Sequence, residues 1–231
     1  MRNRKGLLAM VIILLVIIAD QTLKIWIKTR FYLGEDYPLT SWFHLRFIEN
    51  NGMAFGLELW NKYLLTFGRI LAVGFFIWYI VKASRIRNLR TGFMVSAAMI
   101  AAGAAGNIFD CVFYGVIFNN PMPPEVAAMF PAAGGYASWF EGKVVDMLYF
   151  PLFTIDIGGS QWEFFQYIFN IADASICVGV FLLALFYSRD LALSWHTIFP
   201  SRKKGDKGSD GNGPAAGNEE KTTAPSLPEK R

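Results

Sequence analysis

The sequence predicts an all-α membrane protein, with four transmembrane helices, a small outer β-rich element and an enlarged outer loop. Three observations carry this. Of the 231 residues, 54% are hydrophobic and 16% aromatic. Only 17% are charged, against about 25% in an average soluble domain. The mean hydropathy is +0.33 even though the C-terminal end is polar. The apolar residues also fall into four blocks, each close to the ~20 residues a helix needs to cross a bilayer core.

The first block is Leu7 to about Ile27, behind Arg2, Arg4 and Lys5. A basic start before an apolar run also describes a signal peptide. No small-x-small cleavage site follows, and the run continues through Asp20, Gln21 and Lys24, so a retained helix is expected. An outer segment comes next. Its aromatic and β-branched runs, broken by Asn51-Gly52, predict short strands or a hairpin from about Tyr37 to Leu59. The second block is about Leu64 to Val81, and the third runs from Phe93 to about Asp110 or on to Phe118. A second outer segment is rich in Pro and Gly (Pro121, Pro123, Pro124, Pro131, Gly134, Gly135) and reads as a loop with a short helix at most. The fourth block is Phe164 to Tyr187. Residues 1–200 then form one four-span domain, and the polar tail 201–231, rich in Gly, Ser, Lys and Glu, is expected to be disordered.

Orientation follows from the basic residues. Arg2, Arg4 and Lys5 precede the first block, Lys82, Arg85, Arg87 and Arg90 lie between the second and third, and Arg189, Arg202, Lys203 and Lys204 follow the fourth. Four crossings put all three groups on one side, and the positive-inside rule makes it the cytoplasm. The net charge of +4 is explained by this asymmetry. No basic stripe interleaved with aromatics is present, so no nucleic-acid partner is expected. Cys111 and Cys177 sit in apolar runs, and His44 and His196 are far apart, so no zinc constellation is expected.

Ionisable residues inside spans are expensive and are functional candidates by default. Asp20 and Lys24 are four apart on one helix face and can pair. Asn107 and Asp110 are three apart near the outward end of the third block, and Asn170 and Asp173 repeat that spacing in the fourth. Gly103 and Gly106 allow another helix to approach the third closely. Asp146 lies in the apolar stretch VVDMLYFPLF on the same outer side. Three carboxylates, Asp110, Asp146 and Asp173, can therefore meet just inside the outer membrane face. Two carboxylates in reach of each other share a proton, so one serves as base and the other as acid. Such a pair can activate water and protonate a leaving amine, as amide hydrolysis requires. The same carboxylates could instead form the relay of a small proton-linked membrane carrier, and composition alone leaves the two readings even.

The motifs separate them. DQTLK (20–24), NNGMAFG (50–56), GAAGNIFD (103–110), KVVDML (143–148) and FNIADA (169–174) stand in one order along about residues 7–190. In that order they resemble the lipoprotein signal peptidases, also called signal peptidase II. The family's members are intramembrane aspartyl peptidases. The resemblance implies a substrate, a prolipoprotein whose cysteine carries a diacylglyceryl group, cut just before that cysteine. It implies a catalytic pair at Asp146 and Asp173, supporting or substrate-lining roles for Asn50, Gly52, Asn107, Asp110 and Asn170, and a structural pair at Asp20 and Lys24. It implies no metal and no cofactor. The expected setting is the bacterial cytoplasmic (inner) membrane, with both termini cytoplasmic, the site near the outer face and membrane lipid around a monomer.

The chain departs from the family pattern in three places. Cys111 stands where the family usually has Arg, directly after the Asp of the third box. The stretch Tyr114 to Gly142 is enlarged and can be expected either to fold over the site as a lid or to pack on the membrane as a surface insertion. Pro151 to Glu163 also looks expanded.

Overall fold

In the computed structural model, residues 4–51, 62–158 and 160–200 are described. Gly52, the second half of the expected β-rich element and the tail from 201 lie outside them.

Helix α1 covers Arg4–Arg30, an apolar run without Pro. Its 27 residues rise about 40 Å, enough to cross a core of roughly 30 Å. The chain then turns at Gly34, whose φ of 93° suits glycine, into β1 (Asp36–Pro38) and β2 (His44–Asn50). Helices α2 (Lys62–Ala83) and α3 (Thr91–Ile117) follow, then β3 (Val144–Tyr149), β4 (Phe153–Ile157), β5 (Ser160–Phe164) and β6 (Ile168–Phe169). Helix α4 (Ile171–Phe186) and α5 (Ser188–Ile198) complete the described chain.

The helices α1, α2 and α3 are long and apolar enough to cross a membrane, and α4 with α5 makes a fourth span if this pair, bent by 89°, is taken as one. Large apolar side chains such as Leu14, Ile18, Phe67, Leu71 and Phe181 are exposed around the outside of the helices. That inside-out pattern is what a lipid solvent demands.

The sheet runs β1-β2-β3-β6, all antiparallel. An irregularity between Leu45 and Ile48 shifts the β2–β3 register, and beyond it Ile48 pairs with Asp146 and Asn50 with Val144. Two apolar cores result. One lies at the basic end, around Tyr79, Ile80, Phe93 and Met94. The other lies beneath the sheet, where Ile27, Phe47, Tyr114, Phe118, Val145 and Met147 meet. Between them the helices carry a polar layer.

At the basic end Lys5 Nζ donates to the carbonyls of Arg87 (2.9 Å) and Leu89 (2.6 Å), tying the start of α1 to the α2–α3 turn. Asp190 on α5 accepts from Arg90 N (2.8 Å) and Nε (2.7 Å) at the start of α3. The first two basic groups of the sequence therefore share one end of the bundle, opposite the sheet.

Two expectations change, and one stretch without a predicted structure gains one. The fourth apolar block begins as a strand: Phe164 ends β5, Ile168–Phe169 is β6, and the helix starts only at Ile171. An apolar run cannot by itself tell a buried strand from a helix; here the Asn170 cap sets the boundary. The enlarged segment starts four residues later than expected, because Tyr114 to Ile117 complete α3. The expanded stretch from Pro151 to Glu163 contributes most of a β-hairpin, β4–β5, in which Phe153 and Phe164 stack at 4.6 Å.

The outer loop after α3 is pinned to that helix from Phe130 to Gly142. It runs back over the last turns of that helix, with Phe130 N bonding Ile117 O (2.7 Å), Ala137 N Gly115 O (3.0 Å), Phe140 N Val112 O (3.1 Å) and Gly142 N Cys111 O (2.8 Å). Its Trp139 packs on Phe113, and Phe140 O accepts from Thr66 of α2.

Small residues let α3 sit against both neighbours. A Cβ on Gly103 would run into the carbonyl oxygen of Ala172, and one on Gly106 would stand 2.9 Å from Asp20 Oδ2. On α2, by contrast, a Cβ on Gly68 would meet nothing. Gly103→Val should cost about 1–3 kcal/mol through overpacking and lower the unfolding midpoint of the detergent-solubilised protein. Gly68→Ala should leave the midpoint unchanged or raise it slightly. Thermal unfolding of the two variants side by side checks this.

Candidate active site

The polar layer is built from α1 outward. Asp20, Gln21, Lys24 and Lys28 are all buried, and the spacing of Asp20, Lys24 and Lys28 keeps those three on one face. Lys24 has no exposed side-chain surface. Its ammonium meets Asp20 Oδ2 at 2.8 Å, Asp110 Oδ2 at 2.7 Å and Asn107 Oδ1 at 2.8 Å. All three of its donors are therefore used. Gln21 Nε2 lies 2.8 Å from Asp110 Oδ1 and 3.2 Å from Gly106 O, and Gln21 Oε1 accepts from Tyr114 OH at 3.0 Å. Buried polar networks are stable only when satisfied this fully.

Helix α4 is held at its first turn by its own sequence. Asn170 is the N-cap, and its Oδ1 accepts from Asp173 N at 2.8 Å, while Asp173 Oδ2 accepts from Asn170 N at 3.4 Å. This reciprocal box satisfies two donors that a helix start leaves open. Asp20 Oδ1 reaches a further one, Ala172 N, at 2.8 Å. The Asn-Ile-Ala-Asp spacing is therefore a capping requirement, and it aims both polar side chains toward α3.

Asp146 arrives from β3. Its Oδ1 accepts from Asn170 Nδ2 at 2.6 Å and its Oδ2 from Asn50 Nδ2 at 2.8 Å. Asp173 Oδ1 accepts from Asn107 Nδ2 at 2.7 Å. The two asparagines are themselves joined, Asn170 Nδ2 to Asn107 Oδ1, at 3.1 Å. Asp146 and Asp173 thus hang on one short chain of amides. Asp146 is 2% exposed, whereas Asp173 is half-buried, so the site opens on the Asp173 side. Burial, and then the negative charge of Asp173, push the Asp146 carboxyl up to about 7, although Asn50, Lys24 and Asn170 pull the other way. A carboxyl poised there can hold a proton near neutrality and give it up.

Asp110 differs from these two carboxylates in its contacts. It is fully buried and engaged by Lys24, Gln21 and, at 3.4 Å, the Val145 amide. The expected Asp20–Lys24 ion pair is present, but Lys24 serves Asp110 and Asn107 as well. Cys111 is buried toward α2, with Arg69 Nη1 3.9 Å from its sulfur. His44 pairs with Asp36 at the outer edge of the sheet, and His196 is on α5. Sequence reasoning missed Gln21, Tyr114, Lys28 and Glu49. Gln21 stands inside the DQTLK box, and Lys28 continues the four-residue repeat of Asp20 and Lys24, so both carried a signal. Tyr114 and Glu49 carried none without the fold.

The chain matches the family model described as signal peptidase (SPase) II over residues 12–189. It is 41% identical to a lipoprotein signal peptidase of Porphyromonas gingivalis, covering 83% of this chain and 88% of that one. A lipoprotein signal peptidase of Amoebophilus asiaticus is 36% identical, covering 75% of each chain. Among solved structures, a bacterial membrane enzyme determined in meso at 1.9 Å resolution superposes with a TM-score of 0.52 over 77% of this chain and 90% of that one, at 24% identity. A second, at 2.3 Å, gives a TM-score of 0.50 at 22% identity, over 86% and 94%. These two likenesses concern the fold. The family match and the identity to curated relatives go further, and with apolar helices around a buried carboxylate layer they place this chain in the signal peptidase II family, as a peptidase built on membrane-spanning helices.

Proposed function

We propose that this peptidase removes the signal peptide from diacylglyceryl-modified prolipoproteins, cutting immediately before the lipidated cysteine, with Asp146 and Asp173 as the catalytic pair. The observation that carries this is the amide chain joining the two carboxylates, one buried and one half-open. Asp146 holds the proton and Asp173 is the base. Asp173 takes a proton from a water whose oxygen attacks the scissile carbonyl carbon, and Asp146 gives its proton to the carbonyl oxygen. The resulting diol collapses as Asp146 takes back a hydroxyl proton and Asp173 delivers its own to the departing cysteine nitrogen. The C–N bond breaks, and both carboxyls return to their starting states.

Asn107, Asn170 and Asn50 hold the pair in place. Asp110 supports it through Lys24. Gly52 lies outside the described residues, and its role rests on the resemblance alone. The basic ends of the helices face the cytoplasm under the positive-inside rule. The termini then lie inside, and the pair lies near the outer face of the bacterial inner membrane. A signal helix ending in a lipidated cysteine can reach it laterally from the bilayer, and one protomer carries the whole site.

Purified protein in detergent should cleave a diacylglyceryl-modified lipobox substrate in the presence of chelator. Asp146→Asn and Asp173→Asn should each abolish cleavage, and the double variant should be little worse than either, as expected of groups that act as a unit. Asp110→Asn should retain turnover reduced roughly 10–100-fold. Proton or solute flux into proteoliposomes without hydrolysis would instead establish a carrier.

The proton on Asp146 also sets a pH limit. It is lost as pH rises through about 7, so kcat/KM should fall on the alkaline side from there. Asn50 donates to Asp146 and favours its ionised form. Asn50→Ala should therefore raise the pKa further and shift the alkaline limb to higher pH, while lowering kcat. A pH–rate profile of both proteins checks the direction.

A further inference from the structure

The network around Lys24 steadies Asp173, through Asn107, and Asn50, the donor to Asp146 Oδ2, stands at the far end of the amide chain. That residue ends β2, and the neighbouring position is Glu49, whose side chain turns inward. Glu49 is 2% exposed at its side chain and is paired with Lys28, itself 1% exposed, one turn beyond Lys24 on α1. The pair is closed in by rings. Lys28 Nζ lies 5.7 Å from the Phe47 ring centroid and 5.3 Å from those of Phe118 and Tyr136.

Phe118 and Tyr136 belong to the segment that follows α3, which is pinned backbone-to-backbone along that helix. Tyr136 also accepts a bond from Lys143 N at 2.7 Å, just before β3 begins. The Lys143 ammonium, partly exposed, stands 3.5 Å from Glu49 Oε2.

We infer that Lys28, Glu49 and Tyr136 form a positioning device: the ion pair anchors the end of β2 to α1, the loop seals it, and together they set Asn50 against Asp146. This rests on the catalytic roles proposed above for Asp146 and Asp173. None of the three residues touches the reacting atoms, and all act through Asn50 or the start of β3. The enlarged segment is thereby a brace for the two strands that carry Asn50 and Asp146. A buried ion pair is worth little to net stability, but it fixes register and orientation in a way apolar contacts do not. Among the described residues, the charged groups acting on Glu49 include Lys28, Lys143 and Lys62, and those acting on Asp146 include Asp173 and Lys24.

The test is a cycle between Glu49 and Asn50 in the full-length protein, read as kcat, KM and the alkaline limb of the pH profile on a diacylglyceryl-modified substrate. Glu49→Gln is near-isosteric and removes one charge. It should lower kcat roughly 10-fold, leave KM unchanged and move the alkaline limb upward, as Asn50→Ala does. Placed on Asn50→Ala it should change kcat less than about 2-fold, because residues acting through one contact are not additive. Effects that multiply would overturn the inference, as would Glu49→Gln with a wild-type profile. Should Glu49→Gln fail to fold, Tyr136→Phe keeps the ring and loses only the bond to Lys143. It should show a weaker upward move of the same limb, and an unmoved limb would also overturn the inference. Asp146→Asn separates the two levels. If that variant still cleaves, the catalytic assignment itself is wrong. If it is inactive while the cycle is multiplicative, only the positioning role is lost.

Discussion

The ammonium of Lys24 is the constraint on which the site depends. It sits without exposed surface between α1 and α3, and its three bonds go to Asp20, Asp110 and Asn107. Each of these partners does something further. Asp20 caps α4 through the Ala172 amide, Asp110 receives Gln21 and the start of β3, and Asn107 donates to Asp173. Removing the cation would leave two carboxylates buried without it, a change that costs about 3–5 kcal/mol in comparable pairs. It would also unfasten three elements at once. The cost of burying charge is met here because every donor is used, and the close approach at Gly103 and Gly106 makes that geometry possible.

Two apolar cores enclose this layer. The lower one joins the basic ends of α1, α2 and α3 to α5, and the upper one joins α1 and α3 to the sheet. The layer is thus screened from both sides, with its half-open edge at Asp173. A low-dielectric surround is what raises Asp146 toward neutrality. The same surround would make a lone carboxylate intolerable, which is why Asp146 is met by two amide donors and Asp173 by a side-chain and a backbone donor.

Much of this was legible from residue spacing. The Asp20–Lys24 pair follows from a four-residue step and the Asn170–Asp173 capping pair from a three-residue step at a helix start, while the same step at Asn107 and Asp110, about two turns before α3 ends, turns both side chains to Lys24. The small residues at Gly103 and Gly106 announced the α3 approach. Other features were hidden for physical reasons. The run from Phe164 to Tyr187 is largely apolar on both sides of Asn170, so hydropathy does not mark the change from strand to helix there. The β4–β5 hairpin, by contrast, was legible: FTIDI (153–157) and QWEF (161–164) alternate apolar and polar residues on either side of Gly158-Gly159. The loop after Phe118 is rich in Pro and Gly and reads as unstructured. Its order comes from backbone bonds to α3 carbonyls, which no side-chain pattern encodes. Glu49 looked like one more exposed acidic residue of an outer segment until the fold placed Lys28 beneath it.

The central claim is that Asp146, joined to Asp173 through the asparagine chain, holds the proton the reaction needs near neutral pH. Infrared titration of the full-length protein in detergent measures that directly, through the protonated carboxyl stretch. The wild type should show a component of that band that titrates away around pH 7 and is missing in Asp146→Asn. An Asp146→Asn spectrum that loses no component relative to the wild type at any pH, or a wild type with no component that titrates near neutrality, would contradict the account.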